Sequence, residues 1–237
     1  MQNKFKYIFF DADDTLWENE RYFREAEQKF ALLLSSYADE NTSRKVLEEK
    51  QEENIPIFGY GSKTYLIGMM DAAVALCGEK MIDTSVYSGI NKIIRELSYH
   101  EVKLIEGVEE TLERLQDMRL HLAVATKGDL MEQMTKYRKS GLAKYFHHIE
   151  VMENKDEQNY RMLAAKMDIA PEDLIMIGNS VKSDIAPVVN IGGTAVHIPH
   201  EITWAHEMME MPQSGNIIEI EKITDLPEIL LEKCVLA

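Results

Sequence analysis

The first strongly apolar run of the chain ends in a cluster of carboxylates. Residues 6–10 read Lys-Tyr-Ile-Phe-Phe, and Asp-Ala-Asp-Asp-Thr follows directly at 11–15. A short apolar run bounded by polar residues is typical of a strand buried on both faces of a parallel sheet. Ligands of open parallel sheets bind beyond the carboxyl ends of the strands. We therefore expect Asp11 and Asp13 at the ligand-binding edge of such a sheet.

Beyond Gly107 the chain alternates between strand and helix patterns. Apolar runs lie at 120–125, 149–152, 174–177 and 194–198, stretches with helical spacing lie at 108–118, 129–139, 156–167 and 184–190, and a last strand–helix pair lies near 217–233. Parallel strands need long crossover connections, which are usually helices. The alternation therefore predicts an α/β fold with a three-layer, Rossmann-like core, in which helices cover both faces of a parallel sheet.

The stretch after the first strand is long and helical. No strand run interrupts residues 17–100, and apolar residues recur at spacings of three and four in 24–37, 43–53, 63–77 and 85–97. Helix-breaking residues fall at 54–56 with Gly59 and Gly61, and again at 78–84. We therefore predict an inserted all-helical domain at 17–100 and a core built from 1–16 and 101–237.

Charge and hydropathy exclude several classes of partner. The formal net charge is −15 at pH 7 and the pI is about 4.9, which disfavours binding to a nucleic-acid polymer. No apolar run is long enough to cross a bilayer, and the first residues lack the layout of a signal peptide. We expect a cytoplasmic protein that binds neither nucleic-acid polymers nor membranes, while the oligomeric state stays open.

Polar residues also follow three of the later apolar runs. Thr126, Lys127 and Gly128 follow the run at 120–125, Lys155 follows the run at 149–152, and Gly178, Asn179, Ser180 and then Asp184 follow the run at 174–177. The carboxyl ends of parallel strands lie at one edge, so these groups should approach Asp11 and Asp13. Two acids spaced as Asp-x-Asp suit a magnesium ion or a nucleophile paired with an acid. Alternatively, Asp13 and Asp14 only cap the next helix.

These four segments resemble the motifs of the haloacid dehalogenase superfamily, in particular its phosphatase branch with a helical cap inserted after the first motif. The motifs read Tyr-Ile-Phe-Phe-Asp-Ala-Asp-Asp-Thr-Leu at 7–16, Ala-Val-Ala-Thr-Lys-Gly at 123–128, Glu-Asn-Lys-Asp-Glu at 153–157 and Gly-Asn-Ser-Val-Lys-Ser-Asp at 178–184. Each motif alone is a weak to moderate signal. Their order and spacing carry the resemblance, which covers nearly the whole chain.

The resemblance implies a magnesium-dependent phosphatase that hydrolyses a small phosphorylated metabolite through an aspartyl-phosphate. Asp11 would be the nucleophile and Asp13 the general acid and base, with Thr126 and Lys155 as further catalytic residues. The implied phosphate ligands are Thr126, Lys127, Gly128 and Lys155, and the implied Mg²⁺ ligands are Asp11, Asp13, Asn179 and Asp184. Closure of the helical cap should exclude water and set specificity.

Asn179 departs from the family pattern, which usually has Asp at this position. The loss of one negative charge should weaken magnesium binding and shift the metal toward Asp184, with activity kept. Three alternatives stay open. A dehalogenase of the same superfamily would not need Asp13, a phosphomutase would use the same residues, and a non-catalytic binding protein would carry Asn179 as a mark of a weakened metal site. The sequence does not identify the substrate.

Overall fold

The computed structural model describes residues 7–78, 83–202 and 204–235. Within this part the chain forms two compact units. The core unit contains the residues up to Glu20, Val102–Lys127 and the residues from Gln133 onward, and the helical unit contains the stretch from Arg21 to Glu101 together with Gly128–Glu132. Residues 1–6 and 236–237 of the predicted core and 79–82 of the second predicted helix break lie outside the described residues.

A parallel six-stranded sheet forms the centre of the core unit. The strands are β1 (Ile8–Phe10), β2 (Leu122–Lys127), β3 (His148–Met152), β4 (Ile175–Gly178), β5 (Thr194–His197) and β6 (Ile217–Glu219), in the order β3-β2-β1-β4-β5-β6. Each neighbouring pair is parallel. The predicted α/β fold with a parallel sheet is confirmed.

β1 is buried on both faces of the sheet. Ile8 and Phe10 belong to the apolar cluster on one face, whereas Phe9 belongs to the cluster on the other. Burial of such side chains stabilises the fold by roughly 1.5–3 kcal/mol each. The backbone N–H of Asp11 still pairs with the Ile177 carbonyl of β4 at 2.8 Å, so the sheet holds the first residue after the strand.

Helices surround the sheet and build the helical unit. In chain order they are α1 (Glu20–Leu33), α2 (Glu40–Phe58), α3 (Ser62–Cys77), α4 (Thr84–Tyr99), α5 (Val108–Asp117), α6 (Leu130–Lys139), α7 (Glu157–Lys166), α8 (Ala186–Asn190) and α9 (Leu226–Ile229). A π turn at Val181–Ile185 precedes α8. In the helical unit, Phe30, Leu47, Met69 and Ile90 join one apolar cluster. Among the described helices, none is long and apolar enough to cross a membrane.

The first predicted helix break is confirmed at Gly59 and Gly61 but wrong at 54–56, because α2 continues through Pro56 to Phe58 and α3 begins after Gly61. A proline in a helix removes one backbone N–H and so one helical hydrogen bond. Near this turn, the Asn54 side chain donates to the Lys50 carbonyl and to the Asp71 carboxylate, each at 2.8 Å. The helix ends at Gly59, whose φ of 76° favours glycine.

β2 begins and ends two residues later than predicted. Thr126 and Lys127 pair with Val151 and Met152 of β3, so they are the last residues of the strand instead of the first residues after it. Their backbone partners come from β3, which apolar periodicity in β2 alone cannot reveal.

Candidate active site

The ends of three strands meet around one buried ammonium group. Lys155, shortly after β3, donates through Nζ to Oδ1 of Asp11 and to Oδ1 of Asp184, the latter at 2.6 Å. Asp11 directly follows β1, and Asp184 lies in the π turn after β4. All three side chains are buried. The shared sheet edge thus brings together residues that are far apart in sequence.

Burial and charge oppose each other in this cluster. Burial raises the pKa of Asp11 to about 7, with the charge of Lys155 lowering it and the charge of Asp184 raising it further. Burial lowers the pKa of Lys155, but the charges of Asp11 and Asp184 outweigh this effect and raise it overall. Two carboxyl groups share one cation, so a negative charge is left uncompensated when both of them are ionised. Surplus negative charge on oxygen donors suits a divalent cation.

The π turn that carries Asp184 also orients its carboxylate. Oδ2 accepts a hydrogen bond from the backbone N–H of Ser180 at 3.0 Å, while Oδ1 accepts from Lys155. Gly178 leaves room for this arrangement, because a Cβ atom there would lie 2.3 Å from Asp184 Oδ2. The space needed by the Asp184 carboxylate therefore explains why a glycine lies at the end of β4.

Oxygen donors around Asp11 fit a hard cation such as Mg²⁺. The Thr15 hydroxyl donates to Asn179 Oδ1 at 3.1 Å and lies 3.4 Å from Asp11 Oδ2, which links the loops after β1 and β4. Carboxylates, an amide oxygen and a backbone carbonyl are all ligands that magnesium accepts. Asp11, Asp184, Asn179 and the Asp13 carbonyl would hold the ion. Asn179 supplies a neutral oxygen where a carboxylate would add charge.

Thr126 provides a buried hydroxyl that fits a phosphoryl oxygen. Its side chain is 1% exposed, and Oγ1 has no hydrogen-bond partner within the part of the chain that the structure describes. Buried polar groups are nearly always paired, and an exception needs an explanation. A hydroxyl positioned to donate to a bound phosphate supplies one. Gly128 follows β2 with φ of 140°, a backbone conformation that favours glycine.

Asp13 is held by three donors, two of which lie on α6. Lys136 Nζ lies 2.7 Å from each carboxylate oxygen, Gln133 Nε2 donates at 2.9 Å, and Trp17 Nε1 donates at 2.7 Å. Burial raises the pKa of Asp13, but the charge of Lys136 and these hydrogen bonds outweigh it and lower the pKa. The sequence argument missed both α6 residues. The sequence could have indicated them, because Gln133 and Lys136 are three positions apart and therefore lie on one face of α6. Tyr137 is buried on the same side of this helix.

Asp14 has the helix-capping role that was considered for both acids. Its carboxylate accepts hydrogen bonds from the backbone N–H groups of Asn19 at 2.8 Å and Glu20 at 3.0 Å, at the start of α1. Its φ is 60°, and burial raises its pKa to about 6. The capping alternative therefore applies to Asp14, whereas the carboxylate of Asp13 faces Lys136.

Lys127 has an acidic partner that the sequence argument missed. Its ammonium donates to Glu207 Oε1 at 2.5 Å and to Ser183 Oγ at 3.0 Å. Burial raises the pKa of Glu207, but Lys127 and the hydroxyls of Ser180 and Ser183 outweigh it and lower the pKa to about 2. Phosphate binding by Lys127 stays a prediction, and it requires the ammonium to share or leave Glu207.

Comparisons with known proteins identify the family of this chain. The sequence model of the haloacid dehalogenase-like hydrolases matches residues 5–192. A phosphorylated carbohydrates phosphatase from Thermotoga maritima is 22% identical over 229 residues, covering 94% of this chain and 99% of that protein. A glyceraldehyde 3-phosphate phosphatase from Methanothermobacter thermautotrophicus is 24% identical over 242 residues, covering 95% and 99%. The crystal structure of a haloacid dehalogenase-like family hydrolase from Xanthomonas campestris has a TM-score of 0.86 and 32% identity, covering 96% and 91%.

The family match spans the segments that carry all four motifs. It confirms the resemblance drawn from those motifs, and the likeness to the solved structure confirms the expected fold. The names of the two curated relatives agree with the expected phosphoric monoester hydrolase. The chain belongs to the haloacid dehalogenase-like hydrolase family.

Proposed function

We propose that the protein is a magnesium-dependent phosphatase that hydrolyses a small phosphate monoester through an aspartyl-phosphate on Asp11. The contact of Lys155 with both Asp11 and Asp184 carries this proposal, because it places a buried cation and a second carboxylate at the nucleophile. Membership of a hydrolase family and the phosphatase names of the relatives support it.

In the first displacement, a carboxylate oxygen of Asp11 attacks phosphorus and the bond from phosphorus to the ester oxygen breaks. The leaving alkoxide takes its proton from the carboxyl group of Asp13. Thr126 donates a hydrogen bond to a phosphoryl oxygen, and Lys155 offsets negative charge on the phosphoryl group and on Asp11. The products of this step are the aspartyl-phosphate and a free alcohol.

In the second displacement, water attacks phosphorus while Asp13 takes a proton from it, and the bond from phosphorus to Asp11 breaks. Inorganic phosphate leaves, and Asp13 carries the proton for the next turnover. The charge of Lys136 favours the ionised base that this step needs. A bound phosphate dianion raises the pKa of Asp13 by repulsion, so we expect the protonated acid to form when substrate binds.

A bound Mg²⁺ would offset the repulsion between the Asp11 carboxylate and the phosphate dianion. Without a divalent cation, that dianion would join a buried cluster that is already negative, which is strongly unfavourable. Asn179 contributes a neutral ligand oxygen. We therefore expect activity to be kept while the affinity for magnesium is weaker than an Asp at this position would give.

The names of the two relatives favour one class of substrate. Because they are named for phosphorylated carbohydrates and for glyceraldehyde 3-phosphate, we propose a small phosphorylated carbohydrate as the substrate. Within this proposal the helical unit is the cap domain that selects the substrate, and the enzyme acts in the cytoplasm.

The test is phosphate release from a panel of sugar phosphates, triose phosphates and nucleoside monophosphates, with Mg²⁺ and with a chelator. Asp11→Asn keeps the size of the side chain and removes the nucleophile, so release should fall to background. Asp117→Asn, an exposed position at the end of α5, makes the same change away from the site and should keep wild-type activity.

The same assay separates the alternatives. Phosphoryl transfer to a sugar acceptor, in place of release to water, would indicate a phosphomutase. Halide release from haloacids by a protein inactive on phosphates would indicate a dehalogenase. A well-folded protein that binds phosphorylated ligands and turns none of them over would contradict the enzymatic proposal.

A further inference from the structure

A partly buried polar network lies beside the turn that carries the proposed metal ligands. We call it the Glu207 network, and it consists of Lys127, Ser180, Ser183 and Glu207. Glu207 Oε2 accepts hydrogen bonds from the hydroxyls of Ser180 and Ser183, the latter at 2.5 Å. Glu207 Oε1 accepts from Lys127 at 2.5 Å, and Lys127 also reaches Ser183 Oγ at 3.0 Å. The side chains of Glu207, Lys127 and Ser183 therefore form a closed ring of contacts, and Ser180 joins it through Glu207.

Glu207 comes from a distant part of the chain and forms an ion pair with Lys127 that is shielded from water. It ends the short helical turn Ala205–Glu207 in the connection between β5 and β6. The side chains of Lys127 and Glu207 are only 13% and 12% exposed, so their ion pair is well shielded from water. A carboxylate that satisfies an ammonium and two hydroxyls in such a setting is held in one geometry.

Both serines of the network lie between Asn179 and Asp184, with Ser180 directly before the π turn and Ser183 within it. The backbone N–H of Ser180 donates to Asp184 Oδ2 at 3.0 Å. The Ser180 hydroxyl in turn accepts from the backbone N–H of Ser183 at 3.0 Å, and the N–H of Asp184 donates to the Ser180 carbonyl at 2.8 Å. Anchoring the Ser180 hydroxyl therefore also fixes the amide that orients Asp184.

We propose that Glu207 is a positioning residue for the magnesium site, acting through Ser180 on the orientation of Asp184. The inference rests on the proposed function, because it assigns Asp184 to the metal. Groups that orient metal ligands change metal affinity when they are removed, typically by 10- to 100-fold. Glu207 acts one contact further from the metal, so an effect near the lower end is expected.

The test measures Mg²⁺ binding by calorimetry on the substrate-free protein. We expect Glu207→Ala to raise the Kd for Mg²⁺ about tenfold. Ser180→Ala, a smaller change that keeps the backbone amide, should raise it similarly. The Kd for Mg²⁺ of the double variant should not exceed the higher of the two single-variant values, because both substitutions break the same chain of contacts. Glu210→Ala removes an exposed carboxylate from the same connection and should leave the Kd unchanged.

Kinetics and unfolding separate positioning from general stabilisation. At saturating Mg²⁺ the KM for substrate should stay within about twofold of wild type in Ser180→Ala, which keeps the ion pair of Lys127 with Glu207, since the lost contact concerns the metal site. Lower melting temperatures with unchanged Kd would overturn the positioning role. Wild-type protein that binds no Mg²⁺ would overturn the proposed metal chemistry and the role of Glu207 with it, whereas unchanged variant affinities beside a binding wild type would overturn the role of Glu207 alone.

Discussion

The two acids of the Asp-x-Asp segment have pKa values shifted in opposite directions, although each contacts a lysine. Lys155 is shared between Asp11 and Asp184, and burial raises the pKa of Asp11 despite it. Lys136 reaches both oxygens of Asp13, and its charge lowers the pKa of Asp13 despite burial. Environments that separate the pKa values of neighbouring carboxyl groups are how active sites assign different roles to them.

Lys136→Met should reduce kcat, because methionine fills similar space without the charge and hydrogen bonds that hold Asp13. General acid–base catalysis contributes about 10²–10⁴-fold, so we expect a loss of about 10²-fold, with a smaller effect on KM. Lys136→Arg keeps a cation and should recover part of the activity. Lys139→Met, at an exposed position of α6, is the control. Steady-state kinetics with a raised KM and unchanged kcat would contradict the assignment.

Thr126→Val should lower activity without lowering stability. Valine keeps the shape and removes a buried hydroxyl that lacks a partner in the described structure, so the free energy of unfolding should be unchanged or rise by up to about 1 kcal/mol. Loss of one donor to the transition state should reduce kcat by about 10²-fold. Thr126→Ser keeps the hydroxyl and should retain most activity. Urea unfolding and kinetics test both signs, and a clearly destabilised variant would show that the hydroxyl has a structural role.

Elements whose bounds follow from their own sequence pattern were predicted closely. Elements whose bounds depend on residues elsewhere in the chain were predicted less closely. The apolar run at 174–177 became β4 with a shift of one residue, because an apolar cluster on each face of the sheet buries its side chains. The end of β2 was misplaced because Thr126 and Lys127 are held by β3. The start of the first helix break was misplaced because α2 continues through Pro56 and ends at Gly59, a later residue of the same predicted break.

Gly178→Ala tests the packing between the end of β4 and the π turn that follows. The added Cβ would lie 2.3 Å from Asp184 Oδ2, so the turn must shift. We expect a loss of about 1–3 kcal/mol in the free energy of unfolding and weaker binding of Mg²⁺. Gly215→Ala, where an added Cβ meets no atom within 4 Å, is the matched control. Wild-type stability in Gly178→Ala would show that the turn yields easily.

Part of the candidate site could be predicted from the topology of the parallel sheet. Parallel strands place their carboxyl ends at one edge, so Asp11, Lys155 and Asp184 could be assigned to a common site from sequence alone. Lys136 reaches the site from the buried face of α6, where its helical position gave a signal that was overlooked. Glu207 comes from the irregular connection after β5, and no local periodicity links it to Lys127.

The stability of the whole core unit should respond to acid through Glu207. Its pKa in the folded protein is about 2, below the 4.5 of a free glutamate, so its contribution is present above pH 4.5 and is lost as the pH falls from 4.5 toward 2. The shift corresponds to roughly 3 kcal/mol. Wild type should therefore exceed Glu207→Gln in unfolding free energy at pH 7, and the gap should narrow by pH 3. A gap that is independent of pH would contradict this.

The central place of β1 in the sheet also governs when the site can form during synthesis. Its partners β2 and β4 come far later in the chain, and the contact between Asp11 and Lys155 joins residues 144 positions apart. Such non-local pairing slows folding, because long loops must close before the contacts reward them. Until residue 178 has been synthesised, β1 lacks its partner β4 and keeps one edge unpaired next to Asp11. The nascent chain is therefore prone to aggregation before the candidate site can form.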